Sequence, residues 1–131
     1  MKYFKLMLVT FLALVLLDFL WFGFIAHQLY HEEYGSLFRM ANGKMAVNYF
    51  SAFIVYILMS IGIICFVLKH AKKNCMQGFL YGGIFGLVLY GVFNFTNFAV
   101  ISGFSLKIAI IDTLWGMAVC ALVGAWAAWF A

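Results

Sequence analysis

The chain has 131 residues, 68% of them hydrophobic and 9% charged, with a net charge of +4 and a mean hydropathy of +1.09. A soluble domain is about 45–50% apolar and about 25% charged, and one this small has too much surface for its volume to hide the excess. The values exclude a soluble globular fold and make a lipid bilayer the solvent; with no basic patch interleaved with aromatics, they also exclude a nucleic-acid surface.

Four apolar runs reach the ~18 or more residues that cross a ~30 Å hydrocarbon core at ~1.5 Å per residue. They lie near residues 6–27, 46–68, 79–101 and 105–129. Lipid offers the backbone no hydrogen bonds, so each run must be a helix, and the alternation a membrane barrel needs is missing. The predicted fold is an all-α membrane protein: a single transmembrane domain, 1–131, forming a four-transmembrane-helix bundle. Proline is absent, so no proline kink is expected and the helices should be plain and fairly straight.

Lys2 and Lys5 precede the first helix, and Lys69, Lys72 and Lys73 join the second to the third. With four spans these sites share a face, which the positive-inside rule makes cytoplasmic, so both termini are predicted to be cytoplasmic. A cleaved signal peptide is the other reading of a basic start. It fits less well, because the run is long, contains Asp18 and is followed by no A-x-A-like site.

The first outer loop is HQLYHEEYGSLFRMANGK. Tyr30, Tyr34, Leu37 and Phe38 recur at helical spacing with Glu32, Glu33 and Arg39 opposite, which predicts a short interfacial helix that lids the bundle. His27 and His31, four apart, could both face a metal with Glu32 or Glu33 nearby, but they read better as solvated side chains at a lipid interface, and no metal or cofactor is expected. In the third helix Gly78, Gly82 and Gly86 recur every fourth residue, a stripe that lets helix backbones approach closely, within or between subunits. Cys65 and Cys120 fall in helices and Cys75 in a cytoplasmic loop, where a disulfide would be unusual. Trp126 and Trp129 fit the inner interface.

Polar residues inside the spans carry the functional signal. Asp18 and Trp21 in the first helix, and Asp112 and Trp115 in the fourth, repeat one pattern, Asp-x-Leu-Trp. By helical rise Asp18 lies ~12 Å below the outer surface, Asp112 ~10 Å and Asn94 ~8 Å, with Thr96, Asn97 and Thr113 nearby. A buried Asp costs ~2.5–3.5 kcal/mol to insert and needs partners. Asp18 and Asp112 are predicted to be each other's, a pair that titrates as a unit, with Asn94 and Asn97 as hydrogen-bond partners and the two indoles walling a pocket.

Three ordered stretches, Asp18-x-x-Trp21-x-Gly23, Phe93 to Asn97, and Asp112-x-x-Trp115-Gly116, resemble those of a bacterial family of small predicted membrane proteins, domain of unknown function 2177. The likeness covers nearly the whole chain and implies a multi-pass inner (cytoplasmic) membrane protein of no established activity. Carried across, its polar positions here are Asp18, Trp21, Thr96, Asn97, Asp112, Trp115 and Gly116. One departure stands out: Phe93-Asn94 replaces a usual Tyr-Asp, so a third carboxylate becomes an amide that cannot titrate.

The leading expectation is binding or transport of a small molecule or cation through an outward-facing polar pocket built from Asp18, Trp21, Asn94, Thr96, Asn97, Asp112 and Trp115. A transport path through so narrow a bundle would call for a homo-oligomer. Two alternatives remain: a structural or assembly protein whose polar side chains are interhelical glue, and a membrane-embedded enzyme acting on a lipid, with one aspartate as base. No nucleophile arrangement supports the last.

Overall fold

Long apolar runs without proline form long helices, and the computed structural model, which describes residues 1–131, contains four of them. Helix α1 (Lys2–Leu20) continues through a π-helical turn (Trp21–Ile25), and a short helix α2 (His27–Tyr34) follows. After a small hairpin, α3 (Tyr49–Gly62) runs through a second π-helical turn (Ile63–Val67) into α4 (Leu68–Ala71); α5 (Cys75–Val100) and α6 (Leu106–Phe130) complete the chain. The stretches long and apolar enough to span a membrane are Lys2–Ile25, Tyr49–Ala71, Cys75–Val100 and Leu106–Phe130, all within four residues of the runs read from sequence.

Polar residues start three of these helices by capping their free N–H groups. Asn48 Oδ1 accepts from Ser51 N at 3.1 Å, Asn74 Oδ1 from Gln77 N at 3.1 Å, and Ser105 Oγ from Ile108 N at 3.2 Å.

Two features depart from the plain bundle. The π-helical turns, one marked by Ala26 N donating to Trp21 O at 2.7 Å, occur without proline; a π turn needs only one residue more per hydrogen-bonded ring and often marks a functional position. The loop helix also stops earlier than its spacing suggested. Gly35 takes φ +46° and ends α2, so Leu37 and Phe38 lie beyond it. A hairpin follows, with Met40 opposite Met45 and a turn through Asn42 (φ 53°) and Gly43 (φ 73°), the Asn-Gly chemistry that two-residue hairpins favour.

The glycine stripe is an intramolecular seam. A Cβ on Gly82 would run into the Cys120 carbonyl, one on Gly86 into that of Gly116, and one on Gly78 into that of Gly124. Absence of side chains therefore lets α5 and α6 pack backbone to backbone, and α6 becomes the most buried helix. Its other neighbour is α1, which in turn packs against α3. The order around the bundle is α3, α1, α6, α5.

The ring does not close. The bundle has a terminal end, with both termini and the turn at Lys72 and Lys73, and a loop end, with α2 and the hairpin. At the terminal end Ile63–Ala71 packs on α5, over a core that includes Leu14, Ile63, Val67, Val119 and Val123. Toward the loop end no Cα of α3 comes within 8 Å of α5 or α6. The result is a wedge between the second and third spans.

Candidate ligand-binding site

The wedge leads into a cavity of about 840 Å³. Of the 21 residues around it 18 are hydrophobic, and the exceptions are Asp18, Asp112 and His27, the last exposed at the rim. Helix α1 supplies Phe19, α3 Ala52 and Val55, and α5 Leu89 and Phe93, while Tyr30 and Tyr34 of α2 cover the loop end. A smaller groove of about 470 Å³ between α1 and α6 is lined by hydrophobic residues alone and offers no chemistry.

Asp18 and Asp112 are each only 6% exposed. Buried carboxylates need donors, and every oxygen has one. Tyr56 Oη donates to Asp18 Oδ2 at 2.7 Å and Trp115 Nε1 to Asp18 Oδ1 at 2.8 Å. Tyr30 Oη donates to Asp112 Oδ1 at 2.7 Å and Asn94 Nδ2 to Asp112 Oδ2 at 2.8 Å. Trp21 Nε1 donates to Tyr30 Oη at 3.3 Å, and the Trp21 and Trp115 rings stack with centroids 4.6 Å apart and planes 4° from parallel.

The two Asp-x-Leu-Trp segments thus work crosswise. Trp115 serves the aspartate of the other segment, and Trp21 reaches Asp112 only through Tyr30. Antiparallel helices explain it. Each Trp lies one turn from its own Asp, but in opposite directions along the bundle, so the indoles meet in the middle. Asp18 and Asp112 share no hydrogen bond and no donor, which corrects the expectation that each is the other's partner. The link between them runs through the stacked rings and the Tyr30 hydroxyl.

Of the residues singled out from sequence, Asp18, Trp21, Asn94, Asp112 and Trp115 converge. Thr96 is exposed on the outer face of α5, and the half-buried Asn97 makes no side-chain hydrogen bond to the cluster. Asn94 is fully buried: its Nδ2 also contacts Tyr90 O at 2.9 Å and Thr113 Oγ1 at 3.4 Å, while its Oδ1 has no donor. Tyr30 and Tyr56, donors to the carboxylates, were not anticipated. Burial, and then the nearby Asp112 carboxylate, pushes the hydroxyls of Tyr30 and Tyr34 far above the usual phenol range; both stay protonated, and Tyr30 donates to Asp112.

The His27 and His31 rings stack at 5.6 Å, and no three His, Cys, Asp or Glu side chains come together in a set that could hold a metal.

The family profile described as "Predicted membrane protein (DUF2177)" matches residues 3–130. The chain belongs to that family. No curated protein and no solved structure matches it. Because the DUF2177 match runs from one end of the chain to the other, it takes in every element that lines the cavity. The carboxylates and indoles of the two repeated segments are therefore part of the DUF2177 region, as is the α2 cover.

Proposed function

We infer that this protein binds an amphipathic small molecule that reaches the cavity sideways, from the bilayer, through the wedge between α3 and α5. The observation that carries this reading is the combination of apolar walls with a deep end bearing Asp18 and Asp112. A solute from water would meet mostly greasy surface, whereas a lipid-soluble body fills it and a polar head meets the carboxylates. The cavity is complete within one chain, so binding needs no second copy. Lysine placement supports both termini lying on the cytoplasmic side of a bacterial inner membrane, with the cavity in the outer half and α2 at the outer interface.

A second reading has its own support. Tyr56–Asp18–Trp115 ties α3, α1 and α6 together, and Tyr30–Asp112–Asn94 ties α2, α6 and α5, which is how interhelical glue works. The two readings part at the cavity wall. Ala52→Phe narrows the cavity without touching a carboxylate. After purification in dodecyl maltoside, organic extraction and mass spectrometry should find a lipid-soluble compound near one per wild-type chain and a small fraction of that in the variant. Equal yields, or none from either, would leave only the glue.

A further inference from the structure

The donors and acceptors around the deep end do not balance, and the imbalance has a sign. Five acceptor atoms cluster around that end: the four oxygens of Asp18 and Asp112, which line the cavity, and Asn94 Oδ1, on a fully buried residue outside the lining. The donors that serve them, Tyr30, Tyr56, Trp115 and Asn94 Nδ2, are all neutral and already engaged. Asn94 Oδ1, on a residue with no exposed surface, receives nothing. No Lys or Arg contacts either aspartate; the one ion pair in the chain is Lys107 with Glu33, 4.0 Å apart at the surface. Two acids thus sit in an apolar wall without a cation, although buried charge is ordinarily paired.

The walls point the same way. Ten of the 21 lining residues are aromatic, among them Phe19, Phe22, Tyr49 and Phe85. Ring faces attract cations, most strongly where water is excluded. An anionic head would bring no donor to the carboxyl groups, and no Lys or Arg lines the cavity to hold a phosphate, which rules against fatty acids and phospholipids alike. A bare metal ion would find aromatic walls and no set of three His, Cys, Asp or Glu side chains in place of a ligand shell.

We propose that the cavity takes a phosphate-free lipophilic amine, its protonated nitrogen donating to the Asp18 and Asp112 carboxylates and its apolar body held among the aromatic walls. The proposal rests on the reading of the cavity as a small-molecule site and adds the charge and chemistry of the head. The ammonium supplies the positive charge that the lining lacks and further N–H donors to the carboxylate oxygens.

Dodecylamine and 1-dodecanol share a tail and differ in the head, so their binding to the full chain in dodecyl maltoside, followed by tryptophan fluorescence and thermal shift, separates the two claims. Dodecylamine should bind at least about tenfold more tightly, the scale of a hydrogen bond to a charged group. Asp18→Asn and Asp112→Asn should each erase most of that preference, and Ala52→Phe should weaken both ligands. Equal binding of amine and alcohol, both lost in Ala52→Phe, overturns the amine while sparing the cavity. Binding of neither overturns the cavity itself. A preference that survives all three substitutions belongs to Glu32 and Glu33 at the surface and also overturns the proposal. Where an Asn variant fails to fold by circular dichroism, the wild-type preference and its loss in Ala52→Phe decide.

Discussion

Adjacent glycines on α5 should respond to the same substitution with opposite signs. A methyl on Gly82 would strike the Cys120 carbonyl and lie 2.9 Å from the Cys120 carbonyl carbon and 3.1 Å from Ala121 Cα. Carbon atoms pack best at ~3.5–4.0 Å, so α5 and α6 must part by roughly 0.5–1 Å, a gap that forfeits about a quarter to a half of the dispersion energy along the seam. The Gly78–Gly124 and Gly86–Gly116 approaches lie on the same seam and open with it. Overpacking of this kind costs about 1–3 kcal/mol. At Gly83 the new methyl would rest 3.7 Å from Ala121 Cβ, an ordinary contact, and the gain of up to ~1 kcal/mol in helix propensity is left uncontested. Gly82→Ala should therefore unfold at lower dodecyl sulfate fraction in mixed micelles, monitored by far-ultraviolet circular dichroism, and Gly83→Ala at an equal or higher one. Equal behaviour of the pair would refute the backbone-to-backbone packing of α5 on α6.

Other expectations follow from the polar cluster and the loop. Trp115→Phe keeps a ring to stack on Trp21 but removes a donor from Asp18, and should lower stability by ~0.6–2 kcal/mol in the same titration. Tyr30→Phe deprives Asp112 of one donor and Trp21 of its acceptor, leaving Glu33 bonded to Ser105 at 2.6 Å as the main polar tie of α2. Hydrogen exchange at 27–34 should accelerate while α5 and α6 stay protected; unchanged exchange would mean that apolar packing alone holds the cover. A cysteine in place of the exposed Ser36, in a background lacking Cys65, Cys75 and Cys120, should react with a membrane-impermeant maleimide from the periplasmic side of intact cells. Reaction only after lysis would reverse the assigned orientation.

Helix positions were legible because run length against membrane thickness is a strong signal, and the glycine stripe because its period of four matches one face of a helix. The hairpin has its own signal in Asn42-Gly43, but the helical spacing of Tyr30, Tyr34, Leu37 and Phe38 just before it extends a helical pattern to within four residues of that turn. Within the site, Thr96 stands two residues from Asn94, which puts it on another side of α5 and outside the cluster despite its matching depth. Tyr30 was hidden by its type, because a tyrosine near a membrane surface reads as an interface ring, and only the fold-back of α2 over the bundle reveals it as a donor to Asp112; Tyr56, inside the second span, is an aromatic among aromatics until α3 is seen to lie against α1. The crosswise use of the indoles lay beyond any spacing rule. Sequence fixes which face a Trp shares with its own Asp, while the acceptor its N–H finds depends on which helix lies opposite and at what height.

Helix α3 packs its backbone closely on α1, whereas its Cα atoms stay more than 8 Å from those of α5 and α6, bridged there by Tyr90 against Met59 and Phe85 against Gly62. Mechanically it is a beam clamped at the Ile63–Ala71 end and free at the other. Spreading its loop end parts no Cα-level packing on α5 or α6, because the Tyr90 and Phe85 contacts lie near the clamped end. The stiff flank is α5 on α6, where glycines bring backbones together, so compliance and rigidity sit on opposite sides of one cavity. The yielding flank therefore faces the apolar body of an occupant, while the stiff flank carries Asp112 and Trp115 and holds the polar end in fixed register.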